Sequence, residues 1–244
     1  MIESEKKILI VGHRGASSDS PENTLKAFEK AIELKADYVE FDVQETRDGN
    51  IVVTHDEDIK RITGKDGLIK DMTLKELRKL NFGEGEKIPT LQELVELTKN
   101  KIGLNCEIKV EGITEKVIHI FREYDIIDTT LVSSFIHDEL LKIQKLEPSI
   151  KLASLEPTPG TIKIDWDKKK EMIQYCIDNN LYAINPLVMM VDQLFVDFAH
   201  ANNVKVFPWT VDSKVSIKKL IRIGVDGIIT NDISRAKDIL KSFS

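Results

Sequence analysis

Cysteine is almost missing from this chain, which has only Cys106 and Cys176. The two form no metal or redox spacing, so the default expectation is a reduced, cytoplasmic protein. Long hydrophobic runs are missing too. The longest aliphatic stretch, Leu187–Val191, is five residues, whereas a membrane-spanning helix needs about 20. Met1–Lys7 carries charges but leads only into Ile8–Val11, too short for the core of a signal peptide. Basic charge is not in excess: 35 Lys and Arg against 41 Asp and Glu leave a net charge of −6. That balance argues against generic nucleic-acid binding, which needs a basic face to release counterions, but leaves room for a local phosphate pocket. No Gly-x-Ser-x-Gly elbow marks a serine hydrolase and no P-loop lysine motif marks a nucleotide-binding enzyme.

What the chain does have is enough apolar residue, 41%, for a large core, with 31% charged residues for a soluble surface. Its 244 residues allow one large domain, and a (β/α)8 barrel is the first architecture of that size. One theme recurs: a short β-branched run, then a segment with helical apolar spacing. The runs read as strands are Ile8–Val11, Tyr38–Val43, Ile51–Thr54, Leu104–Ile108, Thr130–Ser134, Lys151–Leu155, Tyr182–Asn185, Lys205–Trp209 and Gly227–Thr230. Helix candidates include Thr24–Leu34, Thr114–Tyr124, His137–Leu146 and Val215–Ile223. Alternation of this kind implies βαβ units and a parallel sheet.

Nine strands is one too many. Only Gln44–Asn50 separates the second run from the third, and a parallel crossover needs about a dozen residues. Asp48-Gly49 in that link is a hairpin signal. Ile51–Thr54 is therefore expected to fold back antiparallel, leaving eight parallel strands and a TIM barrel. Asp56–Lys87 then carries two loop-like stretches around a small helix candidate, Leu74–Leu80. A structureless loop this long is improbable in a compact domain, so residues 56–87 are expected to form a small cap-like insertion over the mouth of a single domain spanning 1–244.

Strand alternation selects the chemistry. In Tyr38–Val43, Glu40 and Asp42 share one face against Val39, Phe41 and Val43; in the next parallel strand, Asn105, Glu107 and Lys109 oppose Leu104, Cys106 and Ile108. Apolar faces should meet the helices, which turns the charged faces inward. Buried carboxylates are costly unless paired or metal-bound. An ion-pair network organised by Lys109 is the plainer reading; a hard divalent cation, Mg²⁺ or Ca²⁺, is the sharper one. His13 follows the first strand, at the face where TIM-barrel active sites gather, with Arg14 beside it, and His55 closes the hairpin strand. Such a pair can supply a general acid and a general base. Arg14 and Lys109 favour a phosphoester over a glycoside. His119, His137 and His200 fall in or beside helices and are left with structural or surface roles.

An ordered set of fragments then resembles the glycerophosphodiester phosphodiesterase family along nearly the whole chain. The pieces are His13-Arg14-Gly15, Pro21-Glu22-Asn23-Thr24, Glu40-x-Asp42, Asp48-Gly49 through His55-Asp56, Pro89-Thr90-Leu91, Glu107-Ile108-Lys109, Ser133-Ser134-Phe135, Trp209-Thr210-Val211 and Asp226 through Asn231. The resemblance implies a TIM barrel with an insertion after the second strand. It implies a metal held by Glu40, Asp42 and Glu107, and His13 and His55 as the acid–base pair. It assigns Arg14 and Lys109 to the phosphate and places Trp209 near the organic part of a small glycerophosphodiester, cleaved to sn-glycerol 3-phosphate and an alcohol. Glu156–Asp167, with Pro157, Pro159, Gly160 and Trp166, matches no family fragment and is expected to be a barrel-mouth loop. Lysophospholipase D action on single-chain lipids is the nearest rival. A non-catalytic phospholigand-binding barrel and a metal-dependent aldolase or isomerase are more distant ones.

Overall fold

The computed structural model describes residues 7–243; Met1–Lys6, most of the charged N-terminal stretch considered above, lies outside the described residues. Among the described residues nine strands form one sheet: β1 (Leu9–Gly12), β2 (Tyr38–Glu45), β3 (Ile51–Val53), β4 (Gly103–Ile108), β5 (Thr130–Ser134), β6 (Lys151–Glu156), β7 (Ala183–Pro186), β8 (Lys205–Val206) and β9 (Gly227–Thr230). Eight run parallel in the order β8-β7-β6-β5-β4-β2-β1-β9, and β3 pairs with β2 off this path. That pairing is antiparallel, with Val43 opposite Val53 and Glu45 opposite Ile51, as the short Asp48-Gly49 link requires. Backbone bonds from Asp226 N to Val206 O (3.1 Å) and Ile229 N to Pro208 O (2.9 Å) bring the last strand onto the eighth and close the ring. The eighth strand is shorter than Lys205–Trp209 because Pro208 has no N–H to continue the ladder; Trp209 still bridges Leu187.

Helices alternate with the strands, including Leu25–Glu33, Leu91–Thr98, Thr114–Glu123, His137–Leu146, Trp166–Asp178, Gln193–Ala201, Lys214–Ile223 and Ile233–Lys241. The outward strand residues Val39, Phe41, Val43, Leu104, Cys106 and Ile108 are all buried beneath them. Inward residues build a second core: Val11, Leu131, Ala153, Ala183, Phe207 and Ile229, with Leu9, Tyr38 and Trp209 against them. This layer plugs the barrel and supports a polar layer at the strands' C-terminal ends. Gly227 is required there, since a Cβ would stand 2.7 Å from the Phe207 ring and 2.8 Å from Leu9 O.

One expectation is corrected. Trp166 is not in a mouth loop; it opens the helix Trp166–Asp178 and packs its ring edge-on to Phe198, with centroids 6.0 Å apart. Asp165 caps this helix by accepting from Lys168 N, so the loop ends earlier than its Pro and Gly content suggests. Residues 56–87 contain a helix at Lys60–Thr63, a 3-10 turn at Ile69–Asp71 and a helix at Leu74–Leu77, shorter than Leu74–Leu80. They pack Ile59, Ile69, Leu77 and Phe82 against Val52 of β3 and Ile88 as a separate apolar cluster.

Candidate active site

Loop and strand positions at the C-terminal end of the barrel converge. Glu40 and Asp42 point inward from β2 and Glu107 from β4, all buried, and one carboxylate oxygen from each lies within 4.8 Å of the others. The loop after β1 wraps this cluster. Gly15 takes φ +84°, and a Cβ there would stand 2.8 Å from Ala27, so only glycine lets the loop lie on the helix Leu25–Glu33. Arg14 consequently sits at φ 55°, with its backbone N donating to Glu40 Oε2 at 2.9 Å. Its guanidinium reaches Glu22 (2.8 Å) and Asp42 (3.6 Å). Thr24 caps the helix, and Asn23, also left-handed at φ 56°, donates through Nδ2 to Asp42 Oδ2 at 2.9 Å. Lys109, just past β4, donates to Glu107 Oε1 at 2.8 Å and stands 3.7 Å from Asp42.

The two histidines have unlike partners. His13 Nδ1 lies 2.7 Å from the side-chain oxygen of Asn231, and its Nε2 lies 3.9 Å from Glu40. His55 Nδ1 lies 2.7 Å from the carboxylate of Asp56, which Arg61 grips at 2.5 Å. Trp209 donates from Nε1 to Asn185 O at 2.8 Å and meets Phe135 edge-on at 5.6 Å. A cavity of about 120 Å³ lies among them, with His13, Glu40, His55 and Glu107 on its polar side and Phe135, Leu155 and Trp209 on its apolar side. All eight residues singled out in the sequence therefore gather at one mouth.

Burial and the neighbouring carboxylates Asp42 and Glu107 push the Glu40 carboxyl well up. Burial and Asp42 likewise push Glu107 up to about 8, against the opposing pull of Lys109. Asp42 differs: burial pushes it up, but Lys109, His55, Arg14 and the Asn23 amide together hold it below its usual value. His13 is held below the ordinary histidine value by burial and by the charge of Arg14. Lys109 and Arg14 offset part of the cluster's charge, but Asp42 Oδ1 is buried without a hydrogen-bond partner, with Lys109 Nζ 3.7 Å away. Oxygen-only donors, mutual repulsion and an orphaned carboxylate oxygen suit a hard divalent cation. The ion-pair network around Lys109 is present alongside, but it leaves that oxygen unsatisfied.

Sequence reading missed Asn23, Asp56, Arg61 and Asn231 as individual contributors. Asn23, Asp56 and Asn231 stood inside quoted fragments, while Arg61 had no signal. Of the other histidines, His137 stacks on Tyr175 at 4.6 Å, His200 meets Asp226 at 2.7 Å, and His119 is exposed on its helix.

The profile of the glycerophosphoryl diester phosphodiesterase family matches residues 13–235. The chain belongs to that family. It is 41% identical over 239 residues to a glycerophosphodiester phosphodiesterase of Caldanaerobacter subterraneus subsp. tengcongensis, covering 93% of this chain and 95% of that one. A glycerophosphodiester phosphodiesterase of Bacillus altitudinis is 36% identical over 244 residues, covering 94% and 97% of the two chains. A phosphodiesterase of Oleispira antarctica, solved in complex with the product sn-glycerol-3-phosphate, superposes with a TM-score of 0.84 at 26% identity, covering 96% of each chain. Among the described residues, no helix of this family member is long and apolar enough to cross a membrane.

Proposed function

We propose that the chain hydrolyses small glycerophosphodiesters to sn-glycerol 3-phosphate and an alcohol such as choline or ethanolamine, as a single domain capped by residues 56–87. One observation carries this reading. A member of this family brings two histidines, Glu40 and Glu107 onto one cavity at the strand ends, with Asp42 clustered against the two glutamates and Arg14 and Lys109 beside it. Glu40, Asp42 and Glu107 would hold Mg²⁺ or Ca²⁺. Such an ion neutralises phosphodiester charge and orients its oxygens.

The chain's own groups do the rest. Arg14 and Lys109, already fixed beside the carboxylates, supply positive charge to the phosphate. His13 serves as the first base, because burial and Arg14 favour its neutral form. It takes the proton of the glycerol 2-hydroxyl as that oxygen bonds to phosphorus. The bond from phosphorus to the departing alcohol breaks, and His55, whose ring the Asp56 carboxylate orients through Nδ1, gives a proton to the leaving oxygen. Water then opens the cyclic phosphate with the histidines exchanging roles: His55 takes the water proton and His13 returns a proton to the 2-oxygen. Trp209 and Phe135 offer an apolar wall to the organic part. Arg61 ties residues 56–87 to Glu22 at 2.7 Å, beside Arg14, which suits a cap that limits substrate size. Two buried free cysteines fit the cytoplasm.

The test is a panel of glycerophosphocholine, glycerophosphoethanolamine and lysophosphatidylcholine, with metal stripped and then Mg²⁺ or Ca²⁺ restored, scoring both products. Turnover of the glycerol diesters with sn-glycerol 3-phosphate released is expected. Preference for lysophosphatidylcholine would favour the lipid reading, and no turnover of any member would reject both. A diester lacking the glycerol 2-hydroxyl should be nearly inert; full-rate hydrolysis would mean direct attack by water.

A further inference from the structure

The His13 ring is anchored through Nδ1, and the chemistry of its anchor leaves one choice of proton position. Asn231 follows β9, and its carboxamide bridges His13 to Asp212, which no part of the functional reading has used. Asn231 Nδ2 donates to Asp212 Oδ2 at 2.7 Å, and Asn231 N donates to Asp212 Oδ1 at 2.8 Å. Thr230 Oγ1 donates to the same Oδ1 at 3.0 Å. An ionised carboxylate accepts and cannot donate. The carboxamide atom facing Asp212 must therefore be the NH₂, which commits the oxygen to His13 at 2.7 Å. That oxygen also cannot donate, so the hydrogen of a neutral His13 ring must sit on Nδ1. The bare nitrogen is then Nε2, on the side of the ring toward Glu40. His13 N donating to Thr230 O at 2.9 Å and Ser18 N donating to Asn231 O at 3.1 Å hold the two loops in this register.

We propose that Asp212 and Asn231 are a positioning pair that sets His13 in the Nδ1–H tautomer and leaves Nε2 free to exchange protons with the substrate. This rests on the reading of His13 as an acid–base group. The contrast with His55, whose Nδ1 meets a carboxylate directly, follows from the same geometry. At His13 a neutral amide oxygen orients the ring without adding a negative charge; the charge of Asp212 is spent one residue further out, on the polarity of the amide.

Three variants separate the parts. Asn231→Ala removes the acceptor and should lower kcat about 10–100-fold with KM within about two-fold, the scale expected for loss of an orienting partner. Asp212→Asn never touches His13, yet it should cost a similar factor, because an amide at that position no longer dictates which way the Asn231 carboxamide faces. The exchanged pair N231D/D212N restores an acceptor toward His13 and a donor behind it, and should recover kcat to within about five-fold of the parent. The independent readout is the ring ¹⁵N spectrum of metal-free protein above about pH 7.5, where an ordinary histidine is neutral, with the His13 signals assigned by their loss in His13→Ala. The parent should show the Nδ1–H pattern, and the two single variants a mixture or the opposite tautomer. An Nε2–H pattern in the parent, or an unchanged kcat in Asn231→Ala, overturns the proposal. The parent spectrum decides even where a variant fails to fold. If His13→Ala retains full activity, the acid–base reading of His13 fails instead, whatever the tautomer.

Discussion

Glu156 should make this protein less stable as the pH rises from acid to neutral, opposite to the usual carboxylate behaviour. It ends β6 with its side chain turned from the barrel interior and 4% exposed. Its one strong contact is Thr158 N, which donates to Oε2 at 3.0 Å. The groups facing it are poor partners. His137 Nε2 is 3.5 Å away, itself kept below its ordinary value by burial, and stacked on Tyr175. Lys168 pulls only weakly. Burial therefore dominates and raises the carboxyl from 4.5 to about 7. In the folded state it stays protonated until about pH 7, whereas in the unfolded chain it ionises near 4.5. Between those values the unfolded chain binds fewer protons, so unfolding becomes easier as pH rises. The 2.5-unit gap between the values 7 and 4.5 corresponds to about 3 kcal/mol at 1.36 kcal/mol per unit. That contribution is fully present below pH 4.5 and gone above about 7. Glu156→Gln keeps the shape and the acceptor for Thr158 but cannot titrate. Denaturant unfolding of both proteins from pH 4.5 to 8 should show the parent losing about 3 kcal/mol relative to the variant across the window. Repeating the comparison in a His137→Phe background removes the imidazole's own titration. A parent-minus-variant difference constant to within about 0.5 kcal/mol would refute the argument.

Three further outcomes concern the site. Exhaustive chelation should abolish turnover and added Mg²⁺ or Ca²⁺ restore it, and Glu40→Gln should weaken metal binding measured calorimetrically at least about 10-fold; undiminished turnover after chelation would reject the metal reading. His13→Ala and His55→Ala should each lower kcat by at least about 10²-fold without multiplying in the double variant, because the two act as a unit. Arg61→Ala removes the bridge from residues 56–87 to Glu22 and Asp56. Since Arg61 is half exposed, it should change stability by less than about 1 kcal/mol while raising the rate on lysophosphatidylcholine relative to glycerophosphocholine. Unchanged relative rates would remove the cap from substrate selection.

Sequence alone determined the barrel and the inward placement of the carboxylates, because both rest on local periodicities. Period-two alternation in Tyr38–Val43 and Leu104–Lys109 put Glu40, Asp42 and Glu107 on the face opposite the aliphatic residues, and a buried outer layer leaves those carboxylates only the interior. The seven-residue link with Asp48-Gly49 could not hold a crossover, so β3 had to turn back and the parallel count had to be eight. Chain length and βα alternation required no knowledge of neighbours. Tertiary structure decided everything that depends on which distant residues meet. The closure of β8 onto β9 runs through an irregular segment at Pro208, whose register no local pattern reports. Trp166 opens a helix that the local Asp165 cap starts, but its ring's partner, Phe198, comes from another element. His13 and His55 look alike in sequence, and only folding gives one an amide oxygen from Asn231, far along the chain, and the other the adjacent Asp56. Residue type sets what a side chain can do, but its proton, charge state and partner are set by groups brought within about 3 Å by the fold, where hydrogen bonds form.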